Sequence, residues 1–457
     1  MPGRRAVGAW LSFALLLGTA GGAGAQGTPV TEKDKPALAE LVRREFLFSW
    51  NAYKTYAWGH DELAPLSKTR VDWYGAPLYL TAVDALDTLI LMGFKDQAEE
   101  ARRYIDSHLS FDQDAYVSVF EITIRVLGGL LSSYQTTGDP RLLALARDLA
   151  NREMPAFHST TGMPYGDVNL RTGAVRRPVT NPAEVGTLLL EFGALSKLTG
   201  NPAYYAAAKN ACQQVFLRRS RIGLVGQAID VRTGRWASPT SHIGGGIDSY
   251  YEYLVKGARL FDDPDLSAMA AESLRAVDRY VADPTRDGLW YGKVNMDTGA
   301  RLERVFGALE CYFPGLLVLS GNTAMARALE DSCFAMWNRF GVEPEQYDYS
   351  TGTAVSPQYY LRPEIMESAF YLYRDTADPK YLTMGRVFLS ALQSFCRTDA
   401  GYTELSDVVS KTKADHMPSY FLAETLKYLY LLFAPPQTLD LKKVVLTTEA
   451  HPLRKDW

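Results

Sequence analysis

The sequence has few cysteines and histidines and carries no strong charge of one sign. Four cysteines and six histidines among 457 residues are too few for a disulfide-built scaffold, and their spacing does not suit a zinc site. The net charge of -4 is spread along the chain, which excludes a basic stripe for nucleic acid or anionic lipid. A Gly-rich phosphate loop, a GxSxG motif and an HExxH motif are also missing. A hydrophobic core of ordinary size must therefore carry the stability.

The N-terminus has the composition of a targeting segment. Arg4 and Arg5 precede an apolar run over residues 6–20, and small residues follow at 23–25. This pattern predicts a signal peptide over residues 1–25, cleaved near Ala25. A membrane anchor is the alternative, but the apolar run is short and no cluster of stop-transfer charges follows it.

The remaining chain, residues 26–457, is expected to form one secreted or periplasmic domain. It has no other apolar run long enough to cross a bilayer. It also has no Asn-X-Ser/Thr acceptor site, which favours a bacterial protein over a eukaryotic secretory enzyme. We expect no nucleic-acid partner, no membrane association after cleavage and a monomer.

An internal repeat of about 60 residues organises this domain. Short connectors such as TTGDPRLLALA and LTGNPAYYAAA end one helix and begin the next. Their predicted N-cap residues are Asp139, Asn201, Asp263, Asn322 and Asp378. A second signal has the same period, because VNLRTG, IDVRTG, VNMDTG and YDYSTG each predict the first strand and turn of a β-hairpin.

The helices of the repeat predict an all-α fold built as a closed toroid. Roughly fourteen helical stretches form seven pairs, and the first helix of each pair is apolar nearly all round. A helix without a polar face must be buried on all sides, which places these helices in an inner ring. An open solenoid is the alternative, but it would require end repeats with polar faces.

Carboxylates recur where the inner helices begin or within them. They are Glu121, Glu184, Asp248, Glu364, Glu367 and Glu424. Each one alone could be a helix cap or part of a solvated face, but one acid per repeat at matching places predicts a shared acid-lined cavity. Aromatic residues near them are Trp58, Trp73, Tyr74, Tyr250, Tyr251, Tyr359, Tyr360 and Tyr420. Acids among aromatic rings favour carbohydrate chemistry, in which two carboxyl groups with different duties hydrolyse a glycosidic bond.

An ordered set of motifs resembles the class I α-1,2-mannosidases of glycoside hydrolase family 47, as a bacterial-type member. The resemblance runs from about residue 40 to the end of the chain. The motifs, in order, are SWNAYKTYAWGHDEL, DALDTL, SVFEITIRVLGGLLSSY, MPYGDVNL, DSYYEYLVKG, CYFPGLL, LRPEIMES, ETLKYLYLLF and TEAHPL.

The resemblance implies a fold, an activity and a metal. The fold would be an (α/α)7 barrel with short β-hairpins at one end and a C-terminal hairpin, VVLTTEAHPL, that plugs the barrel. The activity would be inverting, exo-acting hydrolysis of terminal α-1,2-linked mannose in mannooligosaccharides or high-mannose glycans. The cofactor would be Ca²⁺, bound by the hydroxyl and carbonyl oxygens of Thr448.

The resemblance also assigns roles to individual residues. Glu121 would be the general acid and Glu364 the general base, with Asp248 a third essential acid that could itself deliver the proton through a water. Arg125 and Arg362 would hold the acids and the sugar. The residues that would contact the sugar or calcium-bound waters are Glu184, Glu367, Glu424 and Glu449, with Tyr420 as the stacking ring.

Cysteine pairing and two departures complete the expectations from the family. By themselves the cysteines allow three complete pairings; the resemblance implies a Cys311–Cys333 disulfide and leaves Cys212 and Cys396 as buried thiols. Gly246 stands where relatives of the endoplasmic-reticulum type carry an arginine, which implies a roomier site with less branch selectivity. Ala308 stands where many members carry a histidine.

Two other functions are consistent with a sequence of this kind. The first is a catalytically weak protein that binds mannose-containing glycans on the same fold. The second is a toroidal glycosidase of another specificity, which the TEAHP terminus disfavours.

Overall fold

A computed structural model describes residues 29–457 of the chain. The predicted signal peptide over residues 1–25 lies outside the described residues. Among the helices of the described part, none combines the length and the apolar character needed to cross a bilayer.

Helices make up most of the described chain. The α-helices are α1 (Lys35–Tyr56), α2 (Leu80–Asp84), α3 (Leu86–Leu91), α4 (Lys95–His108), α5 (Val119–Ile122), α6 (Gly128–Thr137), α7 (Pro140–Glu153), α8 (Pro182–Gly186), α9 (Leu189–Thr199), α10 (Ala203–Leu217), α11 (Asp248–Phe261), α12 (Pro264–Tyr280), α13 (Phe313–Leu319), α14 (Thr323–Phe340), α15 (Glu364–Thr376), α16 (Lys380–Ala391) and α17 (Leu426–Phe433). Three π-helical segments continue or precede α-helices, at Thr123–Leu127, Leu392–Cys396 and Phe421–Thr425. Short 3-10 segments lie at Met154–Phe157, Leu309–Tyr312 and Pro436–Thr438.

These helices form a closed double ring, as the repeat predicted. The inner rods are α2–α3, α5–α6, α8–α9, α11, α13, α15 and α17, and each packs against its neighbours in that order. The π-helical start of the last rod packs against α2 and α3, which closes the ring. The first outer helix, α1, also packs against α17. The fold is therefore the predicted all-α (α/α)7 barrel, and the open solenoid is excluded.

The predicted connector caps are present at the start of the outer helices. Each of the five Asp and Asn residues accepts a hydrogen bond from a backbone N–H group two or three positions later. At Asp139, for example, the side chain accepts from the N–H of Arg141 at 3.1 Å. This satisfies a donor that the first helical turn leaves without a partner, and Pro at the first helical position has no such donor to satisfy.

Short strands lie at one end of the barrel and in the C-terminal hairpin. They are β1 (Glu62–Ala64), β2 (Thr69–Val71), β3 (Tyr116–Ser118), β4 (Asp167–Asn169), β5 (Val175–Arg176), β6 (Val179–Thr180), β7 (Ala228–Asp230), β8 (Arg235–Ser238), β9 (Thr240–Ser241), β10 (Ala282–Thr285), β11 (Gly288–Tyr291), β12 (Lys293–Asn295), β13 (Arg301–Glu303), β14 (Val305–Phe306), β15 (Gln346–Asp348), β16 (Thr353–Ser356), β17 (Leu405–Asp407), β18 (Thr412–Lys413), β19 (Val444–Leu446) and β20 (Pro452–Arg454).

The four Thr-Gly hairpins are present but each belongs to a three-stranded sheet. The hairpins β4–β5, β7–β8, β12–β13 and β15–β16 each pair with one further strand, namely β3, β6, β9 and β14. That extra strand is the segment that leads into the inner helix of the same repeat. The sequence predicted only the hairpin because the third strand is two or three residues long and pairs with a distant segment. The sheets fix where the inner helices start.

The C-terminal hairpin enters the barrel and meets the inner helices. Strands β19 and β20 pair antiparallel, with Leu446 opposite Pro452, and pack against α11 and α6 respectively. The loop between them, residues 447–451, is closed by Ala450 in the left-handed region at φ 56°. Gly128 in α6 makes room for this loop, since a Cβ atom there would lie 2.8 Å from the His451 ring. The predicted plug is confirmed.

The cysteines differ from the expected pairing. All four cysteines are free, buried thiols, so the predicted Cys311–Cys333 disulfide is not formed in it. These two thiols are nevertheless in hydrogen-bonding contact with each other.

Some of the aromatic residues expected around the acids pack elsewhere, whereas Trp73 and Tyr360 lie 5.4 Å from the guanidinium groups of Arg125 and Arg362. Tyr250 and Tyr251 are buried in the core because they lie in α11, an inner helix that is surrounded on all sides, and Tyr359, which precedes α15, is buried as well. Trp58 packs beside Tyr104 at the surface of α4. Of the aromatic residues named from the sequence, only Tyr420 lines the acidic cavity in the described chain.

Candidate active site

A cavity of about 310 Å³ opens at the end of the barrel where the inner helices begin. The structure places every residue predicted for the site in its lining. These are Glu121, Arg125, Glu184, Asp248, Arg362, Glu364, Glu367, Tyr420, Glu424, Thr448 and Glu449. They come from five inner rods, with the loops that lead into them, and from the C-terminal hairpin. The closed ring is what brings them together.

The local structure explains why acids face this end. The side chain of Ser118, at the end of β3, accepts a hydrogen bond from the N–H of Glu121, and Asn181 does the same for Glu184. Each capping residue starts its helix and leaves the acid in the first turn, where the positive end of the helix dipole stabilises a carboxylate. Helices α11 and α15 begin at Asp248 and Glu364 themselves.

Arg125 is the main cation on one side of the cavity. Its guanidinium donates to Glu121 Oε2 at 3.0 Å and forms an ion pair with Glu449 Oε1 at 2.8 Å. It also stacks within 5.3 Å of the Tyr420 ring centre. Arg125 lies in the π-helical segment that follows α5, and π-helical turns are frequent at functional sites. The arginine therefore joins the hairpin acid to the acid of an inner helix.

Arg362 is a second cation in the lining of the cavity, and it is held by a residue outside that lining. It donates to Glu345 at 2.7 and 3.2 Å, and its guanidinium lies 5.7 Å from the Tyr420 ring centre. The Tyr420 hydroxyl donates to the carbonyl of Tyr360 at 2.6 Å. The Tyr420 ring thus lies close to both arginines. Glu345 is a partner that the sequence did not indicate.

Asp248 stands in a different environment from a surface acid. Burial raises its pKa to about 7, although Ser249 donates its backbone N–H to the carboxylate at 2.8 Å. Nearby Glu252 raises the pKa further, and Arg362 opposes that rise. A carboxyl group with such a pKa retains its proton near neutral pH for part of the time, as an acid catalyst requires.

Three other carboxyl groups of the cavity are buried, and two of them have an oxygen without a partner in the described chain. Burial raises the pKa of Glu364 and Glu424 well above the ordinary range and that of Glu449 to about 7. One oxygen of Glu364 and one of Glu449 have no hydrogen-bond partner within residues 29–457. Buried acceptors without donors are costly. Their arrangement fits a cavity whose remaining donors come from something that binds in it.

Lys256 lies beneath the cavity and organises its floor. Its ammonium group is in hydrogen-bonding contact with Glu252 and lies 3.3 Å from Glu367 Oε1. It also donates to the carbonyl of Thr447 at 3.4 Å, in the loop of the plug. Burial is the largest cause of the raised pKa of Glu367, about 7, and Lys256 opposes it.

Glu184 is held at the rim of the cavity. Arg177 donates to both of its carboxylate oxygens at 3.0 Å, and the Thr180 hydroxyl donates to one of them. Thr180 lies in β6, which precedes α8, and Arg177 lies two residues before β6. Glu184 is therefore fixed in place at the entrance.

Thr448 lies at the base of the cavity in the tip of the plug. Its backbone N–H donates to the Tyr253 hydroxyl at 3.3 Å, and that hydroxyl donates to Glu191 at 2.6 Å. In the described residues no three His, Cys, Asp or Glu side chains form a group that could hold a metal ion. Thr448 instead offers oxygen donors among carboxylates, two of which have partnerless oxygens. This donor set fits a hard cation such as Ca²⁺ bound by Thr448 with waters between it and the acids.

The other side of the same loop is held by a buried ionic network. The His451 ring contacts Asp87 at 2.7 Å and Asp84 at 3.1 Å. Lys427 pairs with Asp87 at 2.8 Å and donates to the carbonyl of Ala450 at 2.8 Å. The network fixes the loop to α2, α3 and α17, and so fixes the position of Thr448.

Several cavity residues were missed from the sequence. Glu252 lies four residues after Asp248 on the same helix face, and Lys256 four residues after Glu252, so helical spacing could have indicated both. The lining also includes Phe120, Asn181, Leu309 and Tyr312. No local pattern in the sequence marks these four residues.

Chemically, the arrangement can bind a polar, uncharged ligand at the end of a closed tube. It offers acids in at least two protonation environments, two fixed arginines, one stacking ring and an oxygen site for a cation. Carboxyl groups in different protonation states are what the hydrolysis of a glycosidic bond requires.

Comparison with known proteins agrees with this chemistry. The sequence profile of Glycosyl hydrolase family 47 matches residues 45–455. The chain is 40% identical over 445 residues to Alpha-mannosidase I MNS4 of Arabidopsis thaliana, covering 93% of this chain and 70% of that protein. It is 36% identical over 442 residues to Mannosyl-oligosaccharide 1,2-alpha-mannosidase IA of Sus scrofa, covering 90% of this chain and 67% of that protein.

One solved structure gives the same result at the level of the fold. The alpha-1,2-mannosidase from Trichoderma reesei superposes with a TM-score of 0.84 at 29% identity. The match covers 94% of this chain and 100% of that one. By its sequence and its fold, the chain belongs to Glycosyl hydrolase family 47 and is a glycoside hydrolase.

Proposed function

We propose that the protein is an inverting, Ca²⁺-dependent exo-α-1,2-mannosidase that removes terminal α-1,2-linked mannose from mannooligosaccharides or high-mannose glycans. The observation that carries the proposal is the convergence of all eleven predicted site residues on one cavity. The names of the relatives MNS4 and mannosidase IA support the choice of mannose as the sugar.

Exo action is supported by the shape of the cavity. The C-terminal hairpin enters the barrel from the far end, and Thr448 and Glu449 at its tip line the base of the cavity. A glycan can therefore insert an end but cannot thread through the barrel. The sugar unit that reaches the base of the cavity is therefore the terminal one.

The proposed proton transfers use the acids on either side of the cavity. Glu121 is the proposed general acid, held by Arg125, and Asp248 is the alternative donor because burial raises its pKa to about 7. Glu364 is the proposed general base that activates water. Inversion requires room for that water, so we predict that the acid and base carboxyl groups lie roughly 6.5–9.5 Å apart.

The remaining residues of the cavity would bind sugar and cation. Arg362 and Tyr420 would position the sugar ring, and Glu184, Glu367, Glu424 and Glu449 would accept hydrogen bonds from hydroxyl groups or waters. When bound at Thr448, Ca²⁺ would supply positive charge that favours the ionised form of the nearby carboxyl groups and would help to orient the sugar hydroxyls.

The mouth of the cavity supports acceptance of more than one glycan branch. Gly246 lines both the cavity and an adjoining open groove that also contains Arg177 and Gln227. A Cβ atom at Gly246 would make only ordinary contacts, the nearest at 3.6 Å from Asn181, so the space beside it is open. We also propose that the protein is secreted or periplasmic, from its N-terminal sequence, and that it is a monomer.

Proton NMR of the mature protein with α-1,2-mannobiose tests the proposal. We expect β-mannose to appear first, to disappear when a chelator is added and to return with Ca²⁺. Initial α-mannose would contradict inversion. Sugar binding without cleavage would instead favour the glycan-binding alternative.

The metal site has a separate test that does not depend on activity. We expect Ca²⁺ to raise the melting temperature of the wild-type protein, because it binds the folded state. Thr448→Val should abolish this increase and the cleavage. The matched control is Thr240→Val, at a strand on the hairpin end, which should preserve both. An undiminished Ca²⁺ effect in Thr448→Val would contradict the proposed site.

A further inference from the structure

A second cavity lies at the other end of the barrel and has no part in the chemistry above. Its volume is about 210 Å³. It is lined by the C-terminal parts of α11, α13 and α15 and by the base of the C-terminal hairpin. The plug and Lys256 separate it from the active-site cavity.

The lining of the second cavity carries an excess of positive charge. Lys256, Arg259, Arg374 and Lys455 line it together with a single acid, Asp375. Lys256 is neutralised by the two glutamates of the active-site floor. The other three cations form no ion pair with any side chain of residues 29–457. Three positive charges and one negative charge therefore face the same space.

Helix capping accounts for only part of this arrangement. Cations are favoured near helix C-termini, and Arg259 and Arg374 donate to the carbonyls of Leu319 and Leu439. A guanidinium has five N–H donors, so these single contacts leave most of its donors available. Burial lowers the pKa of Arg374, with Asp440 opposing it, whereas the ion-paired Arg125 has a raised pKa. Arg374 is thus a partly buried cation that lacks a close anion.

The rest of the lining is apolar. Leu319, Leu441, Val444 and Leu446 form walls next to the cationic groups, and the Tyr371 ring is buried beside Lys256. Cavities of this kind bind ligands with an apolar body and one polar group that fixes the orientation. A free inorganic ion would leave the apolar walls unused.

We propose that the second cavity binds a small amphipathic anion, with a carboxylate or phosphate monoester at the cationic groups and a short apolar chain against the leucine and valine walls. Arg374 and Lys455 hold the anionic group, and Arg259 contributes from the exposed side. The acidic active-site cavity repels such a ligand, so binding at the two ends of the barrel is distinguishable.

Ligand-observed NMR titrations of the mature protein test the site. The probes are hexanoate and hexyl phosphate, with hexanamide as the neutral match to hexanoate and inorganic phosphate as the match without an apolar chain. We expect at least one amphipathic anion to bind with 1:1 stoichiometry. Hexanamide and inorganic phosphate should each bind at least tenfold more weakly than that anion.

Variants decide whether binding occurs in this cavity. Arg374→Gln combined with Lys455→Gln should weaken binding of the anion at least tenfold. Lys455→Glu alone should also weaken it, and its position near the chain end makes it the variant that folds if the double variant does not. The control Arg235→Gln with Lys197→Gln removes two exposed cations elsewhere and should leave binding unchanged.

The proposal is overturned by any of three results. The first is that neither amphipathic anion binds. The second is that hexanamide binds as tightly as hexanoate, which would mean an apolar cavity without anion recognition. The third is that the Lys455→Glu variant binds the anion as tightly as the wild-type protein does.

Discussion

Two acidic regions lie on opposite sides of the loop at residues 447–451 and differ in how their charges are balanced. On one side, Asp84 and Asp87 are buried against His451 and Lys427. Burial opposes ionisation of Asp87, but Lys427 and His451 hold its pKa below the ordinary value. On the other side, Glu364 and Glu424 are buried without enough cations, and their pKa values are raised.

The difference separates a region that holds the fold together from one that is prepared for a ligand. In the paired region each acid has a cation, and removal of any partner leaves a buried charge uncompensated. In the cavity one oxygen of Glu364 has no hydrogen-bond partner within the described residues, so this acid can be neutralised without loss of a contact at that oxygen. We therefore expect activity and stability to respond in opposite ways to substitutions on the two sides.

The largest effect should come from Glu364→Gln in the cavity. Loss of the proposed general base should lower kcat on α-1,2-mannobiose by about 10² to 10⁴-fold. The melting temperature without Ca²⁺ should not fall, because an amide of the same shape replaces a buried carboxyl group of which one oxygen lacks a partner. A fall in melting temperature as large as that of Asp87→Asn, the variant described next, would contradict the comparison.

Asp87→Asn should have the opposite profile. It leaves Lys427 without its counter-ion and removes one of the two acids that contact His451, which should lower the free energy of unfolding by about 3–5 kcal/mol. Chemical denaturation measures the change, and Glu424→Gln, a buried acid of the cavity, is the control that should change it little. Equal losses in both variants would show that the two regions do not differ as argued.

The pH dependence of stability should reveal another paired histidine, His416. Burial opposes its protonation, but hydrogen bonds with Glu404 and Glu62 raise its pKa from 6.5 to about 10. A raised pKa stabilises the folded state fully below pH 6.5, and this stabilisation is lost as pH rises from 6.5 to 10.

We therefore expect the wild-type free energy of unfolding to decline across that interval by up to about 1.4 kcal/mol per pH unit. His416→Gln should make the decline less steep while lowering stability at pH 6. A part due to His451 should remain, since burial opposes its protonation but Asp87 and Asp84 raise its pKa to about 9. Denaturation curves at several pH values measure both effects. An unchanged slope in the variant would show that His416 is not the group responsible.

The smallest effect concerns the space that the loop occupies. A Cβ atom at Gly128 would lie 2.8 Å from the His451 ring, so Gly128→Ala should lower the free energy of unfolding by about 1–3 kcal/mol. In the background of His451→Ala the same substitution should cost less, since the obstructing ring is gone. Equal costs in both backgrounds would place the strain elsewhere.

Local features of the fold were predictable from the sequence because their causes lie within a few residues. Asp263 caps α12 through N–H groups two and three positions away. Gly234, the turn glycine of one Thr-Gly hairpin, has a φ of 70° that favours glycine. Such signals predicted the repeat. The repeat in turn predicted the double ring of helices and the end of the barrel at which the acids lie.

The site was predictable only as far as a pattern or a resemblance marked its residues. Glu252 could have been found from its helical spacing to Asp248, but it was missed. Glu345, which holds Arg362, lies next to a strand with no pattern that points to an arginine 17 residues later. Tyr250 and Tyr251 show the opposite error, since they were predicted to lie around the acids but are buried in the core. An apolar inner helix directs its aromatic rings to all sides, so the sequence does not show which of them face the cavity.

By itself the sequence determined the repeat and the helix boundaries that caps and turn glycines set. It also determined that the acids lie at the same end of the barrel. Only the tertiary structure decided which charges are paired. His416 and Glu62 are 354 positions apart, and His451 and Asp87 are 364 apart. Closure of the ring brings such groups together, and the burial that follows sets their pKa values, which no local pattern of residues encodes.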